Sequence, residues 1–259
     1  MKILSKIKYA VMDSFTMFKR CMLLSFRNLD SLITGILIPV LMMFLFVYVF
    51  GGSMNVGDGS YVNYIVPGVI LQCVGQCAAI TAISVNNDMK KGIIDRFRSM
   101  PITKSSVLTG HASAAIIRNM VTTALVIGVA LLIGFRPTAN ITQWLVVIGI
   151  LFIYIMAITW LSIIFGLVSN SAESAQVISI VILLLSYFSS GFVATESMPT
   201  ALRAFAENQP LTPIIETIRS LLMNTLTDGN MIIAITWCIA IFAVSYMIAV
   251  QIYRRRLAK

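Results

Sequence analysis

The chain has 259 residues, 58% of them hydrophobic and only 11% charged, with a formal net charge of +9 and a mean hydropathy of +0.91. Soluble domains carry roughly 25% charged residues, so this composition excludes an ordinary soluble globular domain and indicates a polytopic membrane protein. The basic excess does not call for nucleic acid as a partner, because the placement of lysine and arginine around apolar segments and anionic lipid account for it.

Taken in chain order, the first element is residues 3–28, where Met12, Phe15, Met22 and Phe26 share one helical face and Asp13, Thr16, Arg20 and Arg27 another. Such a segment suits an amphipathic helix in the membrane interface, its basic residues toward headgroups; a solvated leader is the alternative. The first apolar segment begins only after this stretch and five more follow, so a cleaved signal peptide is not expected and the chain is read as retained whole. Six windows are apolar enough for a bilayer core of about 30 Å: 32–50, 61–84, 119–135, 143–168, 175–194 and 231–253. The runs are continuous rather than alternating, so the expected fold class is all-α: one transmembrane domain over 1–259, without repeats or a soluble domain.

Between the second and third windows lies NNDMKKGIIDRFRSMPITKSS, residues 86–106. As a helix from about Asn87, it places Met89, Ile93, Phe97 and Met100 on one stripe and Asp88, Lys91, Asp95 and Arg98 on the opposite one. Pro101 disfavours helical geometry at Met100 and ends it. The pattern fits docking to a partner and lying flat on lipid equally well. Between the last two windows, residues 195–230 contain Met198, Pro199, Leu202 and Phe205, a break at Pro210 and Pro213, and then an apolar stretch carrying Glu216 and Arg219. Each piece is too short to span, so short helices dipping into the outer leaflet are expected, with Glu216 and Arg219 able to pair at i and i+3.

Fifteen of the nineteen lysines and arginines fall in the first 30 residues, the loop after the second window or the tail, all on one side if six spans alternate. Both termini are therefore expected in the cytoplasm. Cys73 and Cys77 share a helix face, and with Cys21 and Cys238 they read as packing residues rather than a disulfide or zinc site. His111, the single histidine, reads as a helix-end residue at the membrane boundary. Arg118, at the edge of the third window, either snorkels to headgroups or pairs with a neighbouring helix or the loop. No G-x-x-x-x-G-K-[ST] is present, so the chain brings no ATPase of its own, and no clustered acids, histidines or cysteines support an integral membrane enzyme. None of the ten acidic residues falls inside the six windows as drawn, which argues against coupling to protons or sodium.

Two stretches carry a family resemblance: KGIIDRFRSMPITKSSVLTG, residues 91–110, and SSGFVATESMPTALRAFAENQPLTPIIETIRSLL, residues 189–222. They resemble the corresponding segments of bacterial ABC-type exporter permeases of the second type, in particular the daunorubicin-resistance-like subgroup, and the six windows and the basic tail YRRR agree. The resemblance implies a permease that dimerises with a second copy or a homologue and sits on two separate ABC ATPase subunits, which bind the ATP and Mg²⁺. It implies that residues 87–100 are a coupling helix, with Asp88, Lys91, Gly92, Asp95, Arg96, Phe97, Arg98 and Pro101 in the ATPase contact or its hinge. It further implies that the second and fifth spans face the dimer axis and line the cargo path, where Gln72, Gln76, Ser179, Ser186, Tyr187, Ser189 and Ser190 stand. Polar glue between helices is the other reading of these residues. The expected function is export of hydrophobic or amphipathic molecules, drugs or antimicrobials ahead of lipid-linked glycans or polymers, from the bacterial cytoplasmic membrane. A structural or sensing role using the same ATPase is the remaining alternative.

Overall fold

The computed structural model describes residues 2–52, 60–92, 106–225 and 230–258, and among them every regular element is helical. The elements are α1 (Lys2–Arg27), α2 (Leu29–Phe44, continued by a π-helical turn Leu45–Phe50), α3 (Tyr61–Lys90), α4 (Ser106–Ile133), α5 (Ile141–Val168), α6 (Ala172–Tyr187), α7 (Thr200–Asn208), α8 (Leu211–Leu222) and α9 (Asn230–Ala258). Among the described residues five helices are long and apolar enough to cross a membrane: Ile33–Phe50, α3, α4, α5 and Asn230–Arg256 within α9.

α3 is the axis of the bundle. It packs against α2, α4, α5, α6 and α8, and 78% of its apolar window is buried inside the chain, against 17% in α2 and α9. The second predicted span is thus mostly enclosed by its own chain. Small residues allow the approach: a Cβ at Gly68 would lie 2.7 Å from the carbonyl oxygen of Gly191, and one at Gly110 in α4 would lie 2.5 Å from Cβ of Met17 in α1. Glycine therefore sits where two backbones come closest.

Local sequence sets several ends. Asn140 caps α5 in a reciprocal box with Gln143, its Oδ1 accepting from the Gln143 N–H at 2.9 Å and its own N–H donating to Gln143 Oε1 at 2.8 Å. Ser171 and Ser174 repeat the arrangement at α6, at 3.1 and 3.0 Å. Each box satisfies amide groups that a helix start would leave unpaired. At the other end of α3, Asn86 donates to the carbonyls of Gly166 at 3.3 Å and Ser169 at 2.5 Å, closing the last turn of α5. α3 itself stops because Gly92 adopts a left-handed φ of 63°, with its N–H on the Met89 carbonyl at 3.2 Å.

Three expected boundaries are corrected. The third helix starts at Ser106 rather than Asn119, because the polar residues that interrupt its apolar run are buried against α1 and α3 instead of facing water. The fifth ends at Tyr187 rather than Ala194; its 16 residues rise only about 24 Å, and the following turn, with Ser189, Ser190 and Gly191, is buried. The helix expected from Asn87 to Met100 does not begin there, since residues 87–90 are the last turn of α3. At about 45 Å, α3 outruns the hydrocarbon core of roughly 30 Å.

The segment 195–230 is divided as its prolines suggest. α7 is largely exposed, including Leu202 and Phe205. α8 is a core element, with Leu211, Ile214, Ile215, Ile218 and Leu222 buried against α3, α5 and α9. Pro210 stands at the N-cap of α8 and Pro213 in its first turn, where proline's missing N–H leaves nothing unsatisfied.

Candidate functional site

The charged residues gather where α1, α3 and α4 meet. α1 lies on α4 with Met17 and Cys21 buried and the Ser14 and Thr109 hydroxyls 3.0 Å apart. Met12 and Phe15 remain exposed on its other side. Arg20 turns inward, so the expectation that it faces headgroups is corrected. Its guanidinium grips Asp88 with two hydrogen bonds, Nη1 to Oδ2 at 2.6 Å and Nη2 to Oδ1 at 2.9 Å. His111 Nε2 meets the same Oδ2 at 3.0 Å; facing a carboxylate, it is the donor.

Asp88, at 5% exposure, therefore ties three helices together; the reading of 87–100 put it in the ATPase contact or its hinge, and within the chain its carboxylate is already engaged. The physical reason is geometric: the last turn of α3 still lies beside α1 and α4, and a carboxylate there requires a paired cation. Asp88 thus also lies within the helix of the second span, although charge-free windows left every acid outside. His111, the sixth residue of α4, is buried. The sequence signal for this cluster was weak: one aspartate, one arginine and the only histidine, far apart in number.

About two turns deeper, Arg118 is 7% exposed. It donates from Nη1 to Ser25 Oγ at 3.0 Å and from Nη2 to Thr81 Oγ1 at 2.7 Å, so it pairs with neighbouring helices rather than snorkelling. Of the other expected coupling residues, Lys91 is exposed and Gly92 half-exposed at the α3 terminus. Asp95, Arg96, Phe97, Arg98 and Pro101 lie outside the described residues.

The expected cargo-path residues separate into two groups. Gln72, Ser179, Ser186, Ser189 and Ser190 are buried within the single chain, and Ser186 and Ser189 donate to the carbonyls of Ile182 at 2.9 Å and Ser186 at 2.5 Å. Gln76 and Tyr187 are half-exposed and reach the surface.

At the far end of the bundle, Arg219 donates from Nε to the Tyr64 carbonyl at 3.1 Å and from Nη2 to the Ser190 carbonyl at 2.6 Å, and stacks 3.7 Å over the Tyr64 ring. Glu216 instead accepts from Asn230 Nδ2 at 3.0 Å. The expected Glu216–Arg219 ion pair is absent among the described residues, because the backbone carbonyls of α3 and of the turn after α6 claim the guanidinium. Burial pushes the Glu216 carboxyl above the usual range and the Arg219 guanidinium below its own.

The family model for ABC-2 type transporters matches residues 13–223. The chain belongs to the ABC-2 type transporter family. This ABC-2 chain is 27% identical over 229 residues to the daunorubicin resistance ABC transporter permease protein DrrB1 of Streptomyces coeruleorubidus, covering 87% of the chain and 80% of the relative. It is 25% identical over 230 residues to the probable doxorubicin resistance ABC transporter permease protein DrrC of Mycobacterium tuberculosis, covering 88% and 83%. The ABC-2 assignment makes this a multi-pass membrane permease, and the matched region contains the charge corner, α3 and the Arg219 contacts alike.

Proposed function

We propose that this permease is the membrane subunit of an ATP-driven exporter that moves hydrophobic or amphipathic drugs of the anthracycline type out of the bacterial cytoplasm or inner leaflet. The observation that carries the proposal is its similarity, over most of both chains, to two permeases named for daunorubicin and doxorubicin resistance. Two separate ATPase subunits supply the ATP and Mg²⁺ chemistry, and a second permease copy or homologue completes the pathway. Gln76 and Tyr187, the path residues at the surface, are the ones available to cargo or to that second copy.

In this reading α6 and the buried turn after it form a sixth crossing. Both termini and the α3–α4 connection face the cytoplasm, α7 and α8 lie at the outer side, and Met12 and Phe15 of α1 rest on lipid. Residues 93–100 dock in the ATPase through the Phe97 stripe. The Arg20–Asp88–His111 cluster supports this coupling role, because it joins α1, α3 and α4 at the two ends of the connecting segment. A displacement of the segment would then load three helices together.

The test is daunorubicin uptake by inside-out vesicles containing the permease and its ATPase. Uptake should require hydrolysable ATP and persist after the proton gradient is collapsed; uptake driven by the gradient alone would overturn the reading. Phe97→Asp should lower ATPase affinity by about tenfold or more, since a charge in a desolvated contact costs on the order of 2 kcal/mol. Unchanged copurification and transport would show that the segment rests on lipid.

A further inference from the structure

A cavity of about 330 Å³ opens beside the charge corner, between the α1–α2 junction, the last turns of α3 and Arg118 of α4. Its size is at the lower end of the range of small-molecule sites, roughly 300–1,000 Å³. Among the described residues three cations line it: Arg27 and Lys91, both exposed, and the buried Arg118. Among the described residues one acid, Asp88, also lines it, but Arg20 occupies both of its oxygens and His111 shares one.

Arg118 is the informative residue. Among the described residues its two hydrogen-bond partners are neutral hydroxyls, its Nε has no partner, and no carboxylate forms an ion pair with it. A buried guanidinium without a counter-charge is costly, and an anion entering the cavity would relieve that cost. The lining also includes the aliphatic Leu24, Ile80 and Ile83, beside the polar Ser25, Asn28, Ser84 and Asn87. Cations and aliphatic side chains in one cavity match a phosphodiester with acyl chains attached.

We propose that this cavity binds a phosphate-bearing anion, with the headgroup of an anionic phospholipid as the source that the aliphatic lining residues favour. The phosphate sits against Arg118, Arg27 and Lys91, and the glycerol end runs along Leu24, Ile80 and Ile83. Lipid held there would wedge α1 against α3 and α4 next to the Asp88 cluster. This proposal is independent of which cargo the permease exports.

Native mass spectrometry of the full chain in detergent tests it, with phosphatidylglycerol, diacylglycerol and inorganic phosphate as separate probes. One phosphatidylglycerol should stay bound at activation energies that strip the others, diacylglycerol should not, and millimolar phosphate should not displace it. Arg118→Gln should weaken retention about tenfold or more, the loss of a charged hydrogen-bond partner. Ser84→Trp, which fills the cavity while leaving every cation in place, should do the same if Arg118→Gln fails to fold. Competition by phosphate would keep the anion site and reassign its source to a soluble ion. Equal retention of phosphatidylglycerol and diacylglycerol, or retention unchanged in both variants, would overturn the proposal.

Discussion

Asp88 shows how far a single side chain departs from its sequence pattern. On a helical projection it falls on the polar stripe of an amphipathic segment; in the fold it faces inward, held by Arg20 from α1 and His111 from α4. Breaking a buried pair strands the remaining charge, at a cost of about 3–5 kcal/mol when both partners are enclosed. Arg20 keeps 28% of its side chain exposed and can rehydrate, so Asp88→Asn should cost less, about 2–3 kcal/mol. The measurement is the thermal unfolding midpoint in detergent. Arg20→Gln added to Asp88→Asn should cost less than the sum of the two single changes, because the second removes a charge already unpaired. Additive losses would mean that the contact contributes nothing. The relevant residues are visible in the sequence, but their meeting is not: Arg20 and Asp88 are 68 positions apart, and no periodicity links them.

At the scale of elements, apolar windows located the helices and misjudged their ends for one recurring reason. A window counts a polar residue as water-facing, whereas Ser106, His111, Arg118 and Asn119 are buried by neighbouring helices, so α4 continues through them. The opposite error occurs after α6, where an apolar run continues past Tyr187 but the chain turns. That turn exists because Gly68 and Gly191 let α3 and residues 189–191 come into backbone contact. Gly68→Ala places a Cβ 2.7 Å from a backbone oxygen that cannot rotate away, so it should destabilise the bundle by roughly 1–3 kcal/mol. Gly128→Ala in α4, with nothing within 4 Å of the added atom, should leave the unfolding midpoint unchanged or higher. Equal effects of the two would show that the α3 contact is loose.

For the whole molecule, the asymmetry of lysine and arginine predicts that the α3 terminus and α7 lie on opposite sides of the membrane. Lys91 and Ser197 are both exposed, so Lys91→Cys and Ser197→Cys, each in a background lacking Cys21, Cys73, Cys77 and Cys238, report the two sides. In intact cells an impermeant thiol reagent should label the Ser197 position and spare the Lys91 position. Labelling of both would leave α6 short of a crossing and change the topology after α5.

The sequence by itself determined the class of the molecule. An all-helical membrane bundle follows from long uncharged runs, since in hydrocarbon a backbone must satisfy its own hydrogen bonds; prolines 210 and 213 marked the start of α8, and two short stretches were enough to suggest the ABC-2 resemblance. What tertiary structure decided is which helix is central and which polar groups face inward. α5 and α9 have similar hydropathy, yet 61% of the one window and 17% of the other is buried inside the chain, because lipid and protein are almost equally apolar and hydropathy cannot distinguish them. The same limit applies to Arg118 and Asp88: burial of a charge depends on partners supplied by distant segments, and only the packed chain brings those partners to it.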